Sequence, residues 1–339
     1  MYTLTALALP CMYRIPFRPQ SVSFLFVLSL CLLTLFAPPL QAQKTNVFSH
    51  QLSVLTENDR YVFKGKDGYY TNGLLLRYTK AAPQAEKGSK RLHHFSLGQK
   101  IFMPYSRRVY VVNEIDRPIS GYLFLQYNRS HFKTPQTLWL WGVSADAIGD
   151  ASGARQVQNT FHNWIGVNSN YWGWVWDYQV KSQLGLNIHG QFAKGLITGT
   201  AAAKTQLVPI TKATLGTSFT NISQGLAIQF GQLATQDQSA FWDAVSGNAP
   251  GQKMEWAFYY QPEVMYQAYN ATIQGGLFRE NKGPITADPE PLVFTHQVGL
   301  FLSGGRYQAR LAANFQGKEA KSQHFSHSYG SVQVAYRFR

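Results

Sequence analysis

The chain has 339 residues, with 31 Lys+Arg against 17 Asp+Glu and a formal net charge of +14. Only 14% of its residues are charged and 14% are aromatic, whereas a soluble domain carries about 25% charged residues. The 45% apolar content argues against disorder. A single long apolar run, confined to the N-terminus, argues against a polytopic helical membrane protein.

That run comes first in the chain. Arg14 and Arg18 precede it without any acid, residues 21–37 are continuously apolar, and Pro38-Pro39 and the small Ala42 follow. A basic region, an apolar region and a small residue in that order predict a signal peptide over residues 1–42. An uncleaved membrane anchor is the alternative. Both cysteines, Cys11 and Cys31, fall inside it, so the mature chain is expected to have no disulfide, no Cys-bound zinc and no thiol nucleophile. Residues 1–42 hold two Arg and no acid, which leaves the remainder at +12. That excess suits an anionic partner such as lipid phosphate.

Beyond residue 42 the pattern has a period of two. Alternating runs cover residues 121–126, 137–143, 174–186, 213–219, 254–265, 271–278, 294–302, 307–315 and 331–338. Roughly twelve to fourteen such runs near ten residues each, with aromatics towards their ends, predict an all-β transmembrane antiparallel barrel. A soluble β-sandwich is the competing architecture, but it would not need so many exposed rings. External loops are expected at 81–91, 145–172, 235–253 and 280–291, where Gly, Pro, Asn and Asp concentrate.

Four clusters could carry chemistry. Glu57-Asn58-Asp59 ends one strand, and Tyr69-Tyr70-Thr71-Asn72-Gly73 begins the next, so the two should lie close together. Carboxylate, amide and hydroxyl oxygens together suit a hard cation such as Ca²⁺, although Asn and Asp are also ordinary turn formers. Asp116-Arg117-Pro118 reads as a structural turn with a local ion pair. Residues 155–165 have helical spacing, with Gln158 and His162 one turn apart. His162 is the best single candidate for a general base, because imidazole titrates near neutrality. His324 and His327 fall in an expected hairpin near the C-terminus. There is no G-x-S-x-G elbow, no H-E-x-x-H and no Gly-rich phosphate loop, which argues against serine, zinc and nucleotide chemistry.

Taken in order, these clusters resemble the outer-membrane lipid A 3′-O-deacylase family. The residues that carry the resemblance are Glu57-Asn58-Asp59, Gly68-Tyr69-Tyr70-Thr71-Asn72-Gly73-Leu74, and Leu97-Gly98-Gln99-Lys100 with Pro104. Asp116-Arg117-Pro118 with Gly121, Gln158 with His162, and Gly173-Trp174 complete the set. The resemblance implies a twelve-stranded, lipid-embedded barrel in the bacterial outer membrane. It also implies a short helix in an active-site loop and a Ca²⁺-dependent ester hydrolase site in the outward-facing half. Lipid A, the anchor of lipopolysaccharide, would be the substrate and membrane lipids the surroundings; no nucleic acid partner is expected. By the same resemblance Asn58 and Asp59 would be the metal-proximal pair and Thr71 an active-site hydroxyl. Lys100 would hold the substrate or its oxyanion, Asn72 and Gln158 would contact substrate, and His162 would be the base. Three departures stand out. Met103-Pro104 replaces Thr-Pro or Ser-Pro, Ile119-Ser120 follows Asp116-Arg117-Pro118, and no acid lies between His162 and Asp177. Asp146, Asp150 or Asn168 would have to orient the imidazole. A passive porin and a structural barrel are the non-enzymatic alternatives.

Overall fold

A computed structural model describes residues 47–62, 68–83, 89–105, 112–164, 173–196, 204–248 and 253–339. The expected signal peptide with its cysteines, and Lys87, Arg107, Arg108 and Asn168, lie outside the described residues. Twelve strands follow in chain order: β1 His50–Asn58, β2 Tyr69–Ala81, β3 Lys90–Met103, β4 Ser120–Thr134, β5 Thr137–Ile148 and β6 Gln183–Lys194. They continue as β7 Thr205–Gly216, β8 Phe219–Gln232, β9 Glu255–Asn270, β10 Leu292–Gly304, β11 Tyr307–Gln316 and β12 His327–Phe338. Each pairs antiparallel with its sequence neighbours. β12 returns to pair with β1, from His50 opposite Phe338 to Asn58 opposite Gly330, and closes the barrel. Closure removes every sheet edge, which is what a spanning sheet requires in lipid. No helix among the described residues is long and apolar enough to cross a membrane.

The period-two pattern sorts side chains between the two faces of the wall. Leu52, Leu74, Leu76, Leu97, Leu125, Val143, Leu186, Ile188, Leu215, Ile222, Phe258, Phe294, Val298 and Leu300 all stand exposed on the outside. Such a continuous apolar band is excluded from a water-facing surface and matches the lipid-facing band of a membrane barrel. Trp139 and Trp141 belong to this outer face, at 52% and 50% exposure. Their inward neighbours are small, polar or packed against other inward groups. Ser144 bonds Asn187 and His189, for example, and Asp146 accepts from Asn187 and Ser218.

Several runs divide differently from their periodicity. Residues 173–178 form a 3₁₀ turn and β6 starts only at Gln183. The 213–219 run straddles the β7–β8 hairpin. β9 continues to Asn270, and Ala271–Gln274 is a one-turn helix capped by the Asn270 side chain. In each case alternation persists through a turn whose own geometry breaks the strand. The expected loops also separate. The described parts of 149–182 and 271–291 lie at the Asn58 end of the barrel, whereas the described parts of 82–89 and 233–254 lie at the end where β1 begins and β12 ends.

The connection between β8 and β9 folds into the barrel. Ala240, Phe241, Trp242 and Ala244 pack with Leu92, Phe132, Leu138, Tyr259 and Phe301, which project from the wall. Polar contacts fasten this plug on all sides. The Arg77 guanidinium meets the Asp243 carboxylate at 2.5 Å, and Gln308 and Gln333 also donate to Asp243. Arg310 donates to the carbonyls of Ala240 and Phe241. Glu255 accepts from the Ala240 and Ala234 amides. The Lys90 ammonium donates to the Ala244 and Asp237 carbonyls and to Asn248.

Candidate active site at one rim of the barrel

The turn from β1 to β2 gathers the first two polar clusters. Asn58 and Asn72 are directly opposite each other in the β1–β2 ladder. The Asn58 Oδ1 accepts from the Arg60 amide at 2.9 Å, an Asx turn that directs the chain into a short 3₁₀ segment, Asp59–Val62. Asp59 is 1% exposed, and its Oδ2 accepts from the Gly68 amide at 2.9 Å. The β2–β3 register slips between Tyr70 and Asn72. Thr71 is therefore an extra residue in a bulge, a device that re-aims side chains at barrel rims. Its Oγ1 lies 3.5 Å from the Ile101 carbonyl.

Inside the wall at the same level, the Tyr70 hydroxyl donates to Glu57 at 2.5 Å and the Ser331 hydroxyl donates to its other oxygen at 3.1 Å. Gly73 is obligatory there, because an added Cβ would stand 1.9 Å from the Tyr70 hydroxyl. Lys100 also belongs to this inner face. Its ammonium lies 5.2 Å from the centre of the Tyr70 ring, and its ladder partners are Gly73 and Tyr122.

Asp116-Arg117-Pro118 holds this end of the barrel together, and its ion pair is not local. The Asp116 carboxylate accepts from the Tyr69 hydroxyl at 2.6 Å and from the Tyr105 and His324 amides at 2.9 and 3.1 Å. Arg117 is fully buried and stacks over Phe102. It donates to Glu319 and Thr272, more than 150 positions away in sequence. Burial lowers the Arg117 pKa, and the facing Glu319 carboxylate opposes that shift. His327 binds the Tyr70 carbonyl through Nε2. The two C-terminal histidines therefore serve this brace.

The predicted helix forms as α1, Ala154–Trp164, and lies against the outer face of β3 and β4. Gly121 permits this seating: a Cβ there would stand 2.0 Å from the Ser152 Oγ and 2.3 Å from the Ala154 Cβ. Gln99 anchors the approach by donating to the Ser152 carbonyl at 2.8 Å. Ala154 is buried with Ile101, Met103, Ile115, Ile119, Val175 and Trp176. One turn later, the Gln158 Oε1 accepts from the Trp176 indole at 3.0 Å. His162 follows at the next turn of the same face and is half-buried. An adjacent face, about a quarter turn round the helix, carries Val157, Phe161 and Trp164 at 47%, 42% and 79% exposure. This i, i+4, i+7 apolar stripe is the mark of a helix resting in a lipid interface. The sequence spacing that pairs Gln158 with His162 also contains this stripe.

The structure thus collects Asn58, Asp59, Thr71 and Asn72 on β1–β2 and Gln158 and His162 on α1 at one rim. Lys100 is the exception, because it points to the lumen, away from the wall face that carries α1. The carbonyl oxygen of Gln158 is committed to Trp176. Asp146, one candidate orienter of His162, is turned inward to Ser218 and Asn187. Asp150 accepts from Gln179, and Asp177 pairs with Arg155. Lys90, one of the chain's excess cations, is used by the plug at the other end.

Comparison with known proteins agrees with the barrel fold. A family model described as "Outer membrane protein LpxR" matches residues 26–338. Among solved structures, LpxR from Salmonella typhimurium superposes with a TM-score of 0.68 at 19% identity, covering 85% of this chain and 100% of that one. The translocator domain of the autotransporter NalP from Neisseria meningitidis gives 0.42 at 10% identity, over 94% and 98% of the two chains. No curated protein sequence matches the chain. With a closed twelve-stranded wall and a family match over nearly all of its described length, the chain belongs to the LpxR family of outer membrane proteins.

Proposed function

We propose that this protein is an outer-membrane lipid A deacylase that hydrolyses the ester of the 3′-linked acyloxyacyl chain. One observation carries the reading. Gln158 and His162 share the helix side on which Ala154 packs against the outer wall, whereas Val157, Phe161 and Trp164 stand exposed about a quarter turn round the same helix. A general-base candidate is thereby set at interfacial depth, beside the acyl chains of a lipid rather than in an aqueous lumen.

The chain's own residues divide the work as follows. His162 takes the proton from a water molecule, which attacks the ester carbonyl carbon. The imidazolium then returns that proton to the departing sugar oxygen, so no acyl-enzyme forms. Donors of the β1–β2 rim, the Thr71 hydroxyl and the Asn58 and Asn72 amides, meet the oxyanion, where each preorganised donor typically contributes about 10²–10³ in rate. The amide NH₂ of Gln158 faces the substrate while its carbonyl oxygen holds Trp176. Lys100 takes no part, because its ammonium lies inside the barrel.

The rim also fits a hard cation. Its donors are the buried Asp59 carboxylate, the Asn58 amide and the Thr71 hydroxyl, all of them oxygen, the set that Ca²⁺ prefers. Asp59 and Asn58 are the residues that would hold Ca²⁺, which when bound polarises an ester carbonyl. A residue 1–42 leader removed on export completes the reading.

The lumen favours this function over a passive pore, because Ala240, Phe241, Trp242 and Ala244 pack inside the barrel at the end where β1 begins and β12 ends. The test is fatty-acid release from purified lipid A in mixed micelles. His162→Ala should remove the activity while the barrel keeps its heat-modifiable mobility on gels. Full release by that variant would refute the assignment of the base.

A further inference from the structure

The outer wall carries a second chemical feature, at the end opposite the candidate site. Outward positions of β2–β4 there hold Lys80, Arg91, His93, Arg129, His131 and Lys133. Lys80 pairs with His93 and His93 with Arg129, so these three form one cross-strand row; Arg91 and His131 pair in the next row. Strands lie about 4.8 Å apart and same-face neighbours along a strand about 6.7 Å apart, which makes the patch about 10 Å by 7 Å. None of Lys80, Arg91, Arg129 and Lys133 enters an ion pair among the described residues, and no acid shares this face of the three strands near that end.

A belt of rings borders the patch. Tyr78, Phe95, Tyr127 and Trp141 follow one another across β2–β5, with centroid spacings of 6.3, 5.2 and 5.8 Å. His93 also binds the Tyr127 hydroxyl at 2.8 Å. Such belts mark the depth at which acyl chains give way to headgroups. The cations therefore stand at headgroup level, just beyond the rings. On the opposite flank the outward positions near this end are mostly apolar, among them Leu207, Phe230, Trp256 and Leu302, with Gln232 as a neutral polar exception. Lys194, Lys204 and Arg306 are scattered cations at the same end, so the charge is densest on β2–β4.

We propose that this patch binds the phosphodiester headgroup of an anionic glycerophospholipid in the membrane leaflet at the end where β1 begins and β12 ends. The inference needs the barrel to be embedded in a bilayer but not to hydrolyse anything, so it stands or falls apart from the deacylase reading. The test is native mass spectrometry of the full barrel released from detergent with added phosphatidylglycerol or phosphatidylethanolamine. Wild type should retain phosphatidylglycerol in preference. The triple variant Lys80→Gln/Arg91→Gln/Arg129→Gln should lose that preference, at about fivefold per cation removed. A control at the same end, Lys204→Gln/Arg306→Gln, should keep it. If the triple variant does not reach the heat-modifiable form, Arg129→Gln alone should still weaken retention about fivefold. Equal retention of both lipids by wild type, or unchanged preference in the folded variants, would overturn the proposal.

Discussion

His162 and Lys100 stand on opposite faces of one barrel wall, and this separates their roles. His162 rides on a helix packed against the outer face, whereas Lys100 lies over the Tyr70 ring inside. Replacing a general base costs about 10²–10⁴ in rate, so His162→Ala should lower kcat by that factor in a steady-state assay of fatty-acid release. Lys100→Met should leave kcat unchanged, because the substitution alters only a lumen contact. Asp59 is tested apart from turnover: Asp59→Asn should weaken Tb³⁺ luminescence titrated as a probe of a Ca²⁺ site, even in protein that receives no lipid. The inward turn of Lys100 was legible in principle. Phe95 and Leu97 face lipid, so a strict alternation puts Gly98, Lys100 and Phe102 on the other face. Thr71 was harder to orient, because its bulge shifts the register by one residue and leaves no mark in composition.

At the scale of elements, α1 and the plug show what alternation cannot reveal. The seating of α1 depends on Gly121, where a side chain would collide with Ser152 and Ala154. Gly121→Val should abolish deacylation while the barrel remains folded, as read by activity beside heat-modifiable mobility. The helix itself was legible from the Gln158–His162 spacing, and the strand runs of β4, β5, β10, β11 and β12 from their period of two. The plug was not legible, since residues 235–253 carry the Gly, Pro and Asn content of an exposed loop. Its internal Ala240-Phe241-Trp242 and the inward Lys90 and Glu255 make sense only once the barrel encloses them. Asp243 fixes the plug in a left-handed backbone conformation, with φ 51°. Burial pushes its carboxyl pKa up, but the charges of Arg77, Arg310 and His94 outweigh burial and hold it below the ordinary 3.8. A carboxyl with a depressed folded pKa contributes its stability above the ordinary value and loses it as pH falls through the folded one. The plug should therefore stay locked at every pH above 3.8 and loosen only in stronger acid, as followed by Trp242 fluorescence. Breaking a buried pair by removing one partner costs roughly 3–5 kcal/mol, so Asp243→Ala should lower the thermal midpoint clearly and expose Trp242 at neutral pH.

For the whole molecule, the separation of faces would let a barrel act on lipid without conducting. The lumen is occupied by the plug and by the Glu57–Tyr70–Lys100 and Asp116–Arg117 networks, whereas the candidate chemistry lies on the lipid side of the wall. Reconstituted into planar bilayers, the protein should show no stable open channel, and Asp243→Ala should be the variant that begins to conduct. The closed twelve-stranded architecture was readable from the count and length of the alternating runs, because lipid imposes the same constraint on every strand. The division between a packed interior and an exterior active rim was not readable, because it depends on which face each loop folds over. The central claim, that the outer rim cleaves the 3′-linked chain of lipid A, is most directly tested by mass spectrometry of lipid A from cells that express the protein, beside cells that express His162→Ala. The account predicts a mass loss equal to the 3′ acyloxyacyl group with the wild-type chain and intact lipid A with the variant. Intact lipid A in cells where the wild-type barrel is correctly inserted would contradict it.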